Sequence, residues 1–308
     1  TMHFEPSDQQ VALQDSLARL LAERHDHETR RRIAAGEAGW SEPLWQRLVE
    51  LGLTALPVPE AHGGLGGQPA DLLVVMQEIG RSLLASPLLG SVVMPAAALT
   101  AVGGAAAAHW LPALAAGEAR LPWAHDEPGG DGSAAWVALR ARRDGDGWRL
   151  DGRKAAVHHG AGGHRLLVSA RLAGEPADDA GRALFLVAPD APGLQRRALR
   201  LIDGTPACDL HLQGVAAEAV SLDAAASAGA IDAALAIGMA GACAELLGAM
   251  ESAMKLTVDY LQVRRQFDRP IGDNQALRHA LADMQVSLEM ARSMAIVAAV
   301  QAGRAHEA

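Results

Sequence analysis

The sequence predicts an α+β chain in three parts, helical over residues 1–120, β-rich over 121–226 and helical again over 227–308. Apolar residues recur at three- and four-residue spacing up to Gly117. From Leu121 the pattern changes to alternation and short apolar pieces broken by Asp-Gly, Gly-Gly and Pro-Gly. From about Ala228 to Arg264 no proline interrupts a stretch rich in Ala, Leu, Met and Glu. With 308 residues, 50% of them hydrophobic, the chain can bury a substantial core without disulfide or metal support.

The first helix is expected from Ser7 to Leu21, where Ser7 is an N-cap and Val11, Leu13, Leu17, Leu20 and Leu21 fall at near-helical spacing. Pro43–Leu51 reads as a second helix ended by Gly52, and Ala70–Leu84 as a third with Leu72, Leu73, Val75, Met76 and Ile79 on its apolar face. The Gly-rich loop PEAHGGLGG lies between them. It reads as a turn rather than a phosphate cradle, because no strand precedes it and no Gly-Lys-Ser follows. Leu88–Val102 and Ala105–Ala116 complete the first helical block.

In the β segment the clearest hairpin is Ala135–Leu150, with strands Ala135–Arg142 and Trp148–Leu150 around the turn Asp144–Gly147. Lys154–His159, Arg165–Arg171, Ala183–Ala188 and Ala207–Leu212 are further strands. A single helix over 228–264 would extend roughly 55 Å. A short break, RRQFDRPIGDN, separates it from a last helix at Gln275 to about Ala302. Two long, largely apolar helices need partners on more than one face, which points to packing against the N-terminal helices and against another subunit.

Composition excludes several classes of function. A net charge of -9 and 3% aromatic residues argue against binding duplex or single-stranded nucleic acid. Mean hydropathy is +0.07, and no run of 18 uncharged apolar residues occurs, so no membrane insertion is expected. The first residues lack a basic start and an apolar stretch, so a secretory signal is not expected and a reducing cytoplasm fits. Cys208 and Cys243 fall in different contexts and read as free thiols. No His-x-x-x-His or Cys-His cluster suggests a metal site.

The string YLQVRRQFDRPIGDNQALRHALADM, Tyr260–Met284, resembles the signature of the acyl-CoA dehydrogenase family through Tyr260, Arg264, Gln266, Phe267, Pro270, Ile271, Gln275, Ala282, Asp283 and Met284. The resemblance is nearest to the small-subunit type associated with pimeloyl-CoA dehydrogenases. It implies the family's fold: an N-terminal helical domain, a middle β-barrel domain and a C-terminal helical bundle, the last apparently incomplete at its C-terminus here. It also implies FAD as cofactor, with Arg264 at the pyrophosphate. A guanidinium suits that task, being planar, permanently charged and able to give two parallel hydrogen bonds. Gln266, Phe267 and Gln275 would join it against the adenosine end of FAD bound by a neighbouring subunit. The residues alone also allow Arg264 to cap a helix C-terminus.

DEPGGDGS, Asp126–Ser133, resembles the family's Thr-Glu-Pro segment, and DGDGWRLDGRKAAVHHGAG, Asp144–Gly162, its strand pair beside the flavin. The resemblance implies flavin contacts from Trp123, His125, Asp126, Ala156, Val157 and His158, with Ser133 on the phosphate or substrate side. Asp126 and His158 stand where the family commonly has Thr, and Ala156 where it has an aromatic. Backbone N–H groups can still serve the flavin whatever the side chain. An ionised Asp126 would oppose a reduced flavin unless protonated or turned away. His158 and His159, adjacent on a strand, must point to opposite faces, so at most one faces such a site.

The reaction implied is α,β-desaturation of an acyl-CoA, in which a carboxylate removes the Cα proton while hydride leaves Cβ for flavin N5. The family's usual glutamate would lie beyond Ala308. A minority carry the base near Gly238 and Met239, neither of which can act as one, and Met239 also takes the place of a usual substrate-binding Arg. Glu245, in the apolar setting GACAELLGAM, is a weaker candidate base. The expected partners are the acyl-CoA substrate, electron-transfer flavoprotein as electron acceptor, and further subunits in a homodimer, homotetramer or heterotetramer. A structural, FAD-sharing subunit without a base, and a flavin oxidase or monooxygenase of the same fold, are the rival readings.

Overall fold

The structure is a computed structural model and describes residues 6–36 and 38–307. Its chain packs into two compact units, one of residues up to Arg30, Pro69–Leu84 and Met239–Gly303, the other of Arg31–Gln68 and Ala85–Gly238 with the last residues.

In the first unit, helix α1 (Asp8–Arg24) opens with a full capping box. The Ser7 hydroxyl accepts from the Gln10 amide while the Gln10 side chain accepts from the Ser7 amide, an arrangement worth about 1 kcal/mol. Helix α4 (Pro69–Ser82) runs beside it, tied by Gln10 Nε2 donating to Asp71 Oδ1 at 2.8 Å. Helices α7 (Ala224–Val263), in this unit from Met239 onward, and α8 (Gln275–Glu307), in this unit as far as Gly303, form the expected hairpin, and Leu247, Leu288 and Ala295 are buried in its core. Helix α4 meets α7 backbone to backbone. A Cβ on Gly80 would stand 1.9 Å from the Glu245 carbonyl oxygen, and one on Gly248 1.9 Å from that of Gln77. Beside this crossing Glu251 accepts from Gln77, Arg81 and Arg292.

By length and composition α7 could cross a bilayer, with mean hydropathy 1.7 in its most apolar window, of which 44% is buried within the fold. A core helix of a soluble protein has the same character.

In the second unit helix α3 (Glu42–Glu50), capped by Ser41, buries Leu44, Trp45 and Leu48. The helix expected over 88–102 begins instead as a π-turn at Leu89–Val93 before α5 (Met94–Val102). Pro95 has no N–H to give the Ser91 carbonyl, which accepts from the Leu121 amide instead. Helix α6 (Gly104–Ala115) follows. Helix α2 (His27–Ala35) escaped the sequence reading because it buries no residue and so leaves no apolar stripe to detect.

The strands β1 (Trp123–Ala124), β2 (Arg140–Asp144), β3 (Gly147–His158), β4 (Leu166–Arg171), β5 (Arg182–Val187), β6 (Leu194–Arg200) and β7 (Pro206–Ser221) make one sheet. Pairing of β4 with both β2 and β5 closes the ring β4–β2–β3–β7–β5 into a barrel, filled by Leu150, Val157, Val168, Phe185, Leu210 and Val215. The DGDG hairpin is as expected, but its first strand starts at Arg140 rather than Ala135. The Ala138 and Leu139 amides bond the Glu127 carboxylate, and the Ala135 and Val137 carbonyls accept from Arg171, so side chains take the place of a strand ladder. Trp148–Leu150 and Lys154–His158 belong to one continuous strand, which ends one residue short of the expected His159. Strand β6, LQRRALR, is an exposed edge whose charges hid it from an apolar pattern.

Candidate flavin and acyl-CoA site

The residues proposed for the site fall in both units. Trp123, His125, Asp126, Ser133, Ala156, Val157 and His158 lie in the barrel unit, and Met239, Glu245, Arg264, Gln266, Phe267 and Gln275 in the helical one.

In the barrel unit, β1 carries Trp123 alongside β4, and the chain then runs past the end of β3. The Ala155 amide donates to the Asp126 carbonyl at 2.8 Å, and Lys154 Nζ donates to the His125 carbonyl at 2.9 Å. The two segments matched to the family's flavin motifs are therefore direct neighbours. Strand β3 bulges between Lys154 and Val157 against β7, and Ala156 sits there at φ +48°. The bulge is held by Asp209, whose Oδ1 accepts from the Ala156 amide at 3.0 Å and whose other oxygen pairs with Arg197. These two contacts keep the Asp209 carboxyl below its usual range. The Ala156 N–H is therefore spent on Asp209 and is not free to serve a flavin.

Val157 is buried in the barrel core and His158 is exposed at the end of β3, whereas His159 is buried in the turn beyond it at φ +52°, so the two histidines are not the adjacent strand residues that were expected. Burial, followed by the charges of His158 and Arg120, pushes the His159 imidazole down to about 4. Asp126 and Ser133 are exposed, Ser133 in a turn where its amide donates to the Gly130 carbonyl. Cys208 is buried and its thiol is pushed up to about 11 by burial, and Cys243 is half-buried on α7, both free.

Among the described residues, four buried ring nitrogens in or near these segments lack a hydrogen-bond partner: Trp123 Nε1, His125 Nε2, Trp136 Nε1 and His159 Nδ1. A buried indole N–H without an acceptor is costly and uncommon. The Trp123 ring stacks on His125 with centroids 6.0 Å apart. A planar ligand rich in acceptors suits this edge of the barrel, and a flavin is one.

In the helical unit, α7 and α8 are joined by a tight hairpin of β8 (Arg265–Gln266) and β9 (Arg269–Pro270), turning at Phe267 and Asp268, both at positive φ, +49° and +63°. Phe267 is 94% exposed. A phenylalanine held left-handed is strained in its backbone, and one in water leaves apolar surface uncovered, and both features recur at binding sites. Arg264, Gln266 and Gln275 are exposed around it. Among the described residues the Arg264 guanidinium has no hydrogen bond or ion pair, so it caps no helix carbonyl. Its own amide closes α7 by donating to the Tyr260 carbonyl. Met239 is 67% exposed and Glu245 half-buried, while Gly238, the last α7 residue of the barrel unit, is buried against Met94 of that same unit.

Sequence reasoning passed over Lys154, Glu127, Ser169 and Asp209, the polar groups that hold the barrel edge. Both Lys154 and Glu127 lie inside the motifs quoted for the resemblance. The signal was a lysine within an otherwise apolar alternation.

Comparison with known proteins agrees with this arrangement. Residues 7–118 match the model described as acyl-CoA dehydrogenase, N-terminal domain, and residues 228–308 that described as acyl-CoA dehydrogenase, C-terminal domain. The acyl-CoA dehydrogenase FadE27 of Mycobacterium tuberculosis is 31% identical over 85% of this chain and 67% of its own length. FadE12 of the same organism is 30% identical over 94% of this chain and 76% of its own length. Among solved structures, the Tcur3481-Tcur3483 steroid ACAD is 33% identical with a TM-score of 0.83, covering 97% of this chain and 81% of that one. The ChsE4-ChsE5 complex from Mycobacterium tuberculosis is 27% identical with a TM-score of 0.85, covering 99% and 80%. With a helix–barrel–helix order, the signature hairpin between α7 and α8, and relatives of this similarity along nearly its whole length, the chain belongs to the acyl-CoA dehydrogenase family.

Proposed function

We propose that this chain is an FAD-binding subunit of an acyl-CoA dehydrogenase that desaturates a bulky acyl-CoA thioester between Cα and Cβ. The observation that carries the reading is the α7–α8 hairpin. An Arg264 guanidinium without a partner among the described residues and a left-handed, water-exposed Phe267 support contact of this hairpin with the adenosine end of FAD on a neighbouring subunit. When bound, FAD would supply the hydride acceptor.

The chain's own residues would do the rest. Arg264 neutralises the pyrophosphate by paired N–H donors, and Gln266, Phe267 and Gln275 form the surface against the adenosine. Trp123 and His125 wall the isoalloxazine, the Trp123 indole N–H turns to an acceptor, and His158 faces it from the end of β3. Asp126, exposed, turns its carboxylate to solvent, and Ser133 serves the substrate side. Met239 lines the acyl end in place of a cation. Residues 1–120, 121–226 and 227–308 would then act as the N-terminal helical, barrel and C-terminal helical domains. A cytoplasmic location and re-oxidation by electron-transfer flavoprotein complete the reading.

A second reading has a specific motive: Gly238 and Met239 stand at the alternative base position and can remove no proton. In that case the chain shares FAD with an active partner in a heteromeric enzyme. Heteromeric assembly is what the names of the ChsE4-ChsE5 complex and the Tcur3481-Tcur3483 steroid ACAD describe for those proteins.

The test is flavin per purified chain, followed by anaerobic bleaching of the flavin band with a panel of acyl-CoA thioesters, alone and with a co-expressed partner. Bleaching by the chain alone supports the first reading, and bleaching only with the partner supports the second. No flavin in either preparation overturns both.

A further inference from the structure

We propose that Lys154 is a positioning residue, fixing through a Lys154–Ser169–His125 relay the backbone spacing and ring orientation of the barrel edge that would face the flavin. The proposal rests on the flavin reading above.

Lys154 is wholly buried in the barrel and spends each of its three N–H donors. It donates to Glu127 Oε1 at 2.7 Å, to Ser169 Oγ at 2.8 Å and to the His125 carbonyl at 2.9 Å. These acceptors come from the β1-to-Pro128 segment and from β4, so a single ammonium ties three stretches of chain together. Glu127 passes the constraint onward, since its carboxylate accepts the Ala138 amide at 2.7 Å and the Leu139 amide at 3.1 Å. An ion pair at this depth is a poor source of stability compared with apolar packing, and the best-attested use of such pairs is to specify one arrangement.

Donor accounting extends the proposal to the ring. An ammonium can only donate, so Ser169 Oγ accepts from Lys154, and its own hydroxyl proton is left for His125 Nδ1, 2.9 Å away. Burial keeps the His125 imidazole neutral, with the charges of Lys154 and Arg182 acting in the same direction. A neutral imidazole that accepts at Nδ1 carries its proton on Nε2. That nitrogen is buried and has no hydrogen-bond partner among the described residues. The ring so oriented is the one on which Trp123 stacks, at an interplanar angle of 26°. Lys154 therefore governs the backbone at His125 directly and the Trp123 ring at second hand.

The test uses the full chain reconstituted with FAD, comparing wild type with Lys154→Met, which keeps the stem and removes the donors, and Ser169→Ala, which cuts the relay but keeps the ion pair. Nitrogen-15 NMR of His125, assigned by difference from His125→Gln, reads the tautomer without reference to flavin. Flavin titration and the visible spectrum read the edge. The expected result is an Nε2–H tautomer in wild type, lost in both variants. FAD affinity should fall by about tenfold in Lys154→Met, as when outer-shell partners of a bound group are removed elsewhere, and by less in Ser169→Ala, with an altered flavin band in each. An Nδ1–H tautomer in wild type, or unchanged FAD affinity and spectrum in a folded Lys154→Met, overturns the proposal. If Lys154→Met does not fold, an unchanged tautomer and flavin band in Ser169→Ala does so. Wild-type chain that takes up no FAD but has the Nε2–H tautomer overturns the flavin reading, and with it the positioning role, while leaving the relay standing.

Discussion

The barrel and the α7–α8 helix pair solve opposite problems. The barrel closes on itself and answers its buried charges with its own atoms. Lys154 has Glu127, Ser169 and a carbonyl, and Arg171 gives its donors to the carbonyls of Ala135, Val137, Pro176, Asp178 and Ala180. The helix pair leaves apolar side chains in water. Leu246, Leu256, Tyr260 and Val263 stand exposed on α7, and Val286, Met290, Met294 and Val297 on α8. The latter recur at four- and three-residue spacing, a stripe of the kind that packs against another helix. One region is finished within the chain; the other is shaped to be covered.

The largest effect expected from this contrast is in the barrel. Glu127→Ala strands a buried ammonium and two backbone amides, and should cost about 3–5 kcal/mol, measured by urea unfolding. Loss of less than 1 kcal/mol would mean that the network is not a closed one. Next is the α4–α7 crossing, where Gly80→Ala or Gly248→Ala forces a methyl into a carbonyl oxygen. Each should cost at least about 1–3 kcal/mol, and a neutral result would show that the helices part easily.

The barrel unit should also answer to pH. Burial holds His125 at about 3 and His159 at about 4, against an ordinary 6.5. Both values are depressed, so the unfolded chain binds more protons than the folded one below pH 6.5. Their contribution is complete above 6.5 and is lost as pH falls through 4 and then 3. The urea midpoint should drop over that window, and His159→Gln should flatten its upper part. A midpoint flat from pH 7 to 4 would contradict burial of these rings as neutral groups.

Smaller effects are expected on the helix pair. Phe267→Gly relieves a left-handed phenylalanine and should raise stability by about 1 kcal/mol or less, the relief being partly offset by glycine's chain entropy. The same change should weaken FAD binding, and a stability gain without that loss would detach the hairpin from the cofactor. Met290→Glu, on the exposed stripe, should change the stability of the single chain by no more than about 0.5 kcal/mol. It should lower the assembly state seen by light scattering, and an unchanged mass would remove the stripe from the interface.

Much of this was legible before the structure. The change of period near Leu121, the proline-free run that became α7 and the Arg264–Gln275 signature each depend on neighbours in sequence, and each lies where it was expected. What escaped were elements without an apolar signature, α2 and β6, and those whose backbone bonds side chains from elsewhere, as 135–139 does with Glu127 and Arg171. The candidate residues could be named from motifs. That the Ala156 amide is spent on Asp209, or that the Arg264 guanidinium caps nothing, could not.

By itself, then, the sequence determined the class of the fold, the order of its parts and the family, because hydrophobic period, turn residues and a contiguous motif are properties of short stretches of chain. Only the tertiary structure decided which buried charges meet, which ring nitrogen of His125 meets Ser169 and which faces stay in water. Those depend on the distances between residues far apart in sequence, such as Lys154, Ser169 and His125, which come together only when the barrel closes.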